Sequence, residues 1–82
     1  MLYFSSPMCR PCRSFGPLLT QELEARSIEP ERIDVTTEAG LALADKYGVI
    51  AVPTVVIEKD NEEVRRFGVL LGDPLLDALS VL

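Results

Sequence analysis

The run TVVIEK, Thr54–Lys59, is apolar without alternation through its centre, the pattern of a strand covered on both faces. A chain that buries such a strand must bring helices to both sides of it, and the sequence supplies them in a regular order. LYFS, Leu2–Ser5, reads as a short β-prone run closed by Ser-Ser-Pro. A helix follows from the region of the two cysteines, with Phe15, Leu19 and Leu23 on one face and Glu22, Glu24 and Arg26 turned outward. Pro17 lies inside it and is expected to kink it, because the ring removes a backbone donor and crowds the preceding turn. RIDVT, Arg32–Thr36, is a second strand. Thr36 or Thr37 then caps a helix whose inner face is Ala39, Leu43 and Tyr47, with Lys46 in its last turn and Gly48 just beyond.

After the apolar strand, Asp60-Asn61 suits a tight hairpin turn into EEVRRF. The alternation of that last strand is poor, which places it at an exposed edge. Asp73 is expected to cap a final helix with Pro74 as its first residue and Leu75, Leu79 and Leu82 facing inward. The order is β-α-β-α-β-β-α. A right-handed crossover makes the first two strands parallel and the closing hairpin is antiparallel. The expected architecture is an α/β fold, a mixed four-stranded sheet flanked by three helices, forming a single domain over residues 1–82.

Thirteen acidic residues against eight basic ones leave a net charge of −5. The bases are scattered apart from the pairs Arg10/Arg13 and Arg65/Arg66, so binding to a phosphate backbone by charge is not expected. The longest apolar stretch, GVIAVPTVVI, is interrupted by Pro53 and is far short of a membrane span, and MLYFSSP lacks the features of a signal peptide. A cytoplasmic, monomeric protein is expected. In a reducing compartment a cysteine pair points to catalysis or metal binding before it points to a structural bridge.

The only two cysteines lie in the segment CRPC, Cys9–Cys12, where the first strand gives way to the first helix. A thiol at a helix N-terminus meets unpaired backbone N–H groups and the positive end of the dipole, both of which favour its anion. The dipole contributes only about 0.3–1 kcal/mol, against about 1.36 kcal/mol per pKa unit. Hydrogen bonds and the charge of Arg10 must add the rest, bringing Cys9 toward a pKa of roughly 7. The first cysteine sits at the helix tip and the second a turn inside, which makes Cys9 the nucleophile and Cys12 the resolving thiol. Pro11 stiffens the turn between them. The spacing lets the two sulfurs bond and part with little backbone movement. A structural disulfide is the first competing reading, but a loop this short gains only about 2 kcal/mol from closure. A zinc site is the second; with no histidine in the chain, it needs a dimer sharing four thiolates or help from carboxylates.

A proline entering a central strand at AVPT, Ala51–Thr54, loses a ladder hydrogen bond and needs a special reason to be there. With that segment in view, the chain resembles the thioredoxin family over nearly its whole length. CRPCRSFGP is similar to the C-G-P-C signature and its proline-bearing helix. DKYGVIAVPTVVI is similar to K-Y-G-[IV]-x-x-[IV]-P-T followed by a hydrophobic strand, and RRFGVLLGDPLLDAL resembles the last strand, glycine and helix. The resemblance implies a thioredoxin-like fold with a cis Val52–Pro53 bond beside the cysteines. It implies that the backbone of Val52 pairs with an extended substrate, and that Pro7, Met8, Ala51 and Val52 form an apolar docking rim.

There are departures from the family pattern. Arg10 replaces the usual glycine, Met8 the usual tryptophan, and Tyr3 stands where the family keeps a buried aspartate. The chain begins at the strand that leads to the active site, without the family's preceding strand and helix. Arg32 falls where the family often has a lysine near that aspartate.

The activity implied is thiol-disulfide exchange: reduction of disulfide-containing protein substrates through a reversible Cys9/Cys12 couple. No cofactor is expected to be bound; electrons are expected from a thioredoxin reductase, NADPH-linked, and no metal is expected. Two rivals remain. One is a glutaredoxin-like, glutathione-linked reductant, for which LGDP, Leu71–Pro74, is only a partial match and the tyrosine of C-x-Y-C is absent. The other is a non-catalytic binding subunit built on the same fold.

Overall fold

The structure is a computed structural model that describes residues 1–82. Its elements run β1 Leu2–Ser5, α1 Arg10–Ala25, β2 Glu31–Asp34, α2 Glu38–Tyr47, β3 Thr54–Lys59, β4 Glu62–Phe67 and α3 Asp73–Leu79. The sheet order is β2-β1-β3-β4. β1 is parallel to β2, with Tyr3 opposite Arg32 and Phe4 opposite Ile33, and antiparallel to β3, with Phe4 opposite Thr54. β3 and β4 close as an antiparallel hairpin through Asp60 and Asn61, both at positive φ. The mixed sheet and the alternation of element types are those the sequence predicts.

Alternation along the central strands sends successive side chains to opposite faces. Tyr3, Val55 and Ile57 join Phe15, Leu19 and Leu23 of α1 and Leu75, Ala78 and Leu79 of α3 in one core cluster. Leu2, Phe4, Ile33 and Val56 face the other way and pack on Ala44, with Leu43 and Tyr47 of α2 at the margin. Helices therefore cover both faces, which is why TVVI shows no alternation.

Four local expectations are corrected, and a fifth, the cap of α2, is narrowed to one of the two threonines expected. β2 ends at Asp34, short of Val35 and Thr36, because the Asp34 carboxylate accepts the Thr36 N–H at 2.8 Å and its hydroxyl at 2.6 Å and turns the chain out of the sheet. Thr37 is the residue that caps α2, accepting the Gly40 N–H at 3.0 Å. The inner face of α2 is Gly40, Leu43, Ala44 and Tyr47, and Ala39 is exposed. Gly40 passes so close to β2 that any Cβ would collide with the Asp34 carbonyl. Gly72, not Asp73, precedes α3 at its N-cap position, with φ of 60°. Asp73 is the first helical residue, where its carboxylate faces the positive end of the dipole. Leu82 is exposed, and the inner residues of α3 are Leu75, Ala78 and Leu79. α1 continues as helix through Pro17.

The Asp34 turn carries a pH dependence. The Thr36 hydroxyl, and after it the Thr36 N–H, hold the Asp34 carboxyl below the usual aspartate range. A carboxyl with its folded pKa depressed adds stability that is complete above its unfolded pKa, near 3.9, and is lost as pH falls through the lower folded value. The stability difference between wild type and Asp34→Ala is therefore expected to be constant from about pH 5 to 7 and to shrink below about pH 4. Denaturant titrations of both proteins across that range measure it, and a difference that grows toward acid contradicts the assignment.

Candidate active site

The end of β1 and the start of α1 are joined by Ser6–Cys9, a turn closed by the Cys9 N–H donating to the Ser6 carbonyl at 3.1 Å and the Met8 N–H to the Ser6 hydroxyl at 3.1 Å. Cys9 occupies the N-cap of α1 in an extended conformation, with φ of −89° and ψ of 112°. Its sulfur accepts the Cys12 N–H at 3.2 Å. The sulfur thus does what a serine or aspartate oxygen does at an ordinary helix start. Pro11 sits where its missing N–H costs the helix nothing. Cys9 is half-buried and Cys12 buried at 7% exposure. The two are joined as a disulfide with their Cα atoms 5.2 Å apart.

A segment distant in sequence completes the site. Val49 to Pro53 leaves the end of α2 and delivers Pro53, buried, to the mouth of β3; the Val52–Pro53 peptide bond is cis. The Cys9 sulfur lies 3.6 Å from the Val52 carbonyl oxygen, across 43 residues of chain. The Val52 N–H has no backbone partner. Thr54 braces the same loop, its hydroxyl donating to the Ala51 carbonyl at 2.7 Å.

The structure thus brings Cys9, Cys12, Val52 and Pro53 together, with Ala51 exposed beside them and Met8 83% exposed at the tip of the turn. Arg10, the first helical residue, is exposed. Tyr3 is buried beneath α1, its ring edge-on to Phe15 and its hydroxyl against Gly16, one turn below Cys12. Burial pushes its phenol up from the ordinary tyrosine value; the opposing Arg32 charge and then a contact with Ser5 pull it part of the way back. Arg32 itself donates to the Thr20 hydroxyl at 3.1 Å and ties β2 to α1.

Sequence reasoning missed three contributors. Arg13 donates to the Pro7 carbonyl at 3.1 Å and holds the Ser6–Met8 turn. Thr54 holds the loop before Pro53, and Ile50 in the same loop is an apolar side chain 99% exposed. A threonine directly after the strand-entry proline was the available signal for the second. Arg13 and Ile50 offered none, because a carbonyl partner and a surface position leave no mark in a residue pattern.

A disulfide that caps the helix springing from a mixed four-stranded sheet, with a proline-bearing loop against it, defines a protein of thioredoxin-like fold. The Thioredoxin family model matches residues 1–78. The chain belongs to the thioredoxin family. It is 32% identical over 74 residues to probable thioredoxin-2 of Caenorhabditis elegans, covering 90% of this chain and 51% of that protein. It is 31% identical over 61 residues to thioredoxin 1 of Synechococcus elongatus, covering 74% and 57%. The chain thus spans between half and three-fifths of the length of these curated relatives. Among solved structures it is similar to Fasciola hepatica thioredoxin, with a TM-score of 0.71 and 35% identity over 82% of this chain and 64% of that one. It shares the fold of thioredoxin 1 from Thermosipho africanus, with a TM-score of 0.81 at 24% identity over 96% and 88%.

Proposed function

We propose that the protein is a thiol-disulfide oxidoreductase that reduces protein disulfides through the Cys9/Cys12 couple. The observation that carries the reading is the placement of the two sulfurs: Cys9 half-exposed at the helix tip with an N–H aimed at it, Cys12 buried and bonded to it. In the reduced protein the same N–H stabilises a Cys9 thiolate, which is the attacking species. The thiolate attacks one sulfur of a target disulfide, that S–S bond breaks, and the departing thiolate takes up a proton. Cys12 then loses its proton and attacks the Cys9 sulfur; the mixed disulfide breaks, the target's second sulfur leaves as a thiolate that takes up a proton, and the Cys9–Cys12 bond forms. Two electrons have passed from the dithiol to the target.

A disulfide-containing polypeptide docks along the main chain of Val52, whose N–H has no backbone partner, with Met8, Ile50 and Ala51 as apolar contacts. Arg10 and Pro11 modulate the couple, the first by its charge beside Cys9 and the second by stiffening the turn. No cofactor is held by the protein; an NADPH-linked thioredoxin reductase restores the dithiol, and the protein works as a monomer in the cytoplasm. Insulin reduction run with thioredoxin reductase and NADPH, in parallel with glutathione and its reductase, is the test. Turnover is expected in the first arm only. Turnover sustained by glutathione alone overturns the electron source, and none in either arm overturns the activity.

A further inference from the structure

β4 contains a bulge that its sequence disguises. Arg65 pairs with Ile57, but Glu63 pairs with Glu58, so Val64 has no opposite number on β3. Residues three apart on a regular strand point to opposite faces; one extra residue restores them to the same face. The bulge thereby places Glu63 alongside Arg66 on the face covered by α2, where Arg66 stands opposite Val56. Arg65 points the other way, within 3.9 Å of Asp77 of α3.

The Arg66 guanidinium is held by both carboxylate oxygens of Glu63, at 2.9 and 2.7 Å. Its remaining donors reach across to the end of α2, to the Tyr47 carbonyl at 2.6 Å and the Gly48 carbonyl at 3.5 Å. Carbonyls at a helix C-terminus lack intrahelical partners and sit at the negative end of the dipole, so a fixed cation satisfies both. Tyr47 is also fixed through its side chain: the ring packs on Phe4 with centroids 6.0 Å apart, and the hydroxyl lies 3.2 Å from each Glu58 carboxylate oxygen. Immediately beyond this anchor the chain becomes the five-residue loop that carries Val52 to Cys9.

We infer that Arg66, oriented by Glu63, is a positioning residue for the active site. By gripping the Tyr47 and Gly48 carbonyls it fixes the origin of the loop Val49–Pro53, and so the placement of the Val52 main chain against Cys9. The inference rests on the proposed docking of substrate along Val52. Its reach is specific: an extended polypeptide needs the Val52 groups in place, whereas a small disulfide needs only the Cys9 thiolate, whose stabilising N–H comes from α1.

Arg66→Met, with Arg65→Met as the control on the opposite face, separates a positioning role from general stabilisation. The first readout is independent of activity. The Val49 N–H, bonded to the Ala44 carbonyl at 2.8 Å, reports on the end of α2. Its hydrogen exchange is expected to be at least about tenfold faster in Arg66→Met, and unchanged in Arg65→Met, under conditions where both remain folded. The second is kinetic. With insulin as substrate KM is expected to rise about three- to tenfold at little cost to kcat, while the rate with dithiobis(nitrobenzoic acid) stays within about twofold, and Arg66→Lys falls in between.

Unchanged Val49 exchange overturns the inference, as does an equal loss with both substrates or an unchanged KM for insulin in the folded variant. If Arg66→Met does not fold, Glu63→Gln, which loosens the guanidinium without removing it, decides by the same readouts with smaller shifts in the same directions. If the wild-type protein reduces no disulfide, the proposed function fails, and the grip on the loop is judged on the Val49 exchange alone.

Discussion

Replacing Cys9 with serine is expected to abolish disulfide reduction, a loss on the order of a thousandfold or more, while replacing Cys12 with serine halts the reaction one step later. The two outcomes differ because the two sulfurs differ in setting. Cys9 is the half-exposed sulfur and the one that receives the helix N–H; a serine hydroxyl there remains protonated and is no nucleophile toward sulfur. With Cys12 replaced, Cys9 still attacks, but nothing follows to resolve the mixed disulfide. Incubating each reduced variant with an oxidised protein substrate and resolving the products without reductant measures the contrast. A covalent complex is expected with Cys12→Ser and none with Cys9→Ser. The reverse pattern exchanges the roles of the two thiols, and a complex with neither variant removes the mechanism.

Phe4→Ala is expected to produce the largest loss of stability of any truncation on the α2 side of the sheet. Phe4 is fully buried in the central strand, flanked by Ile33 and Thr54 on the neighbouring strands, and its ring supports that of Tyr47. Removing a buried phenylalanine ring costs about 3–5 kcal/mol when the surroundings cannot collapse into the space. They cannot readily do so here, because the residues around it belong to three strands locked in register. A chain of this length has a total stability of roughly 4–12 kcal/mol, so the variant loses from about a quarter to all of it. With a urea slope of about 1 kcal/mol/M for a small domain, the unfolding midpoint should fall by roughly 3 M or more. A shift below about 1 M would mean that α2 repacks freely against the sheet, and that Tyr47 is not the firm anchor described above.

Some of this architecture is legible in the sequence alone. β1, α1 and β3 announce themselves through short-range patterns: an apolar run closed by Ser-Ser-Pro, a row of Phe15, Leu19 and Leu23 four residues apart, and an unalternating TVVI. The errors fell where a side chain competes with the backbone or where an element must approach another closely. Asp34 ends its strand early by accepting from Thr36. Gly40 rather than Ala39 faces the sheet because only a residue without Cβ can pass the Asp34 carbonyl. β4 lies at the sheet edge, as the poor alternation of EEVRRF predicts, but it also holds an unpaired Val64 that no periodicity rule registers.

The order of residues alone determined that two thiols stand at the first turn of a helix following a buried strand, because helix starts and strand ends are written in neighbouring residues. Only the tertiary structure decided that the Val52 carbonyl faces Cys9 and that Arg66 reaches the Tyr47 and Gly48 carbonyls, where the loop to Val52 begins. Those contacts are made to main-chain carbonyls, which every residue possesses and which leave no signature in a sequence. They exist because β3 returns antiparallel beside β1, carrying to the mouth of α1 a segment that is 43 residues away along the chain.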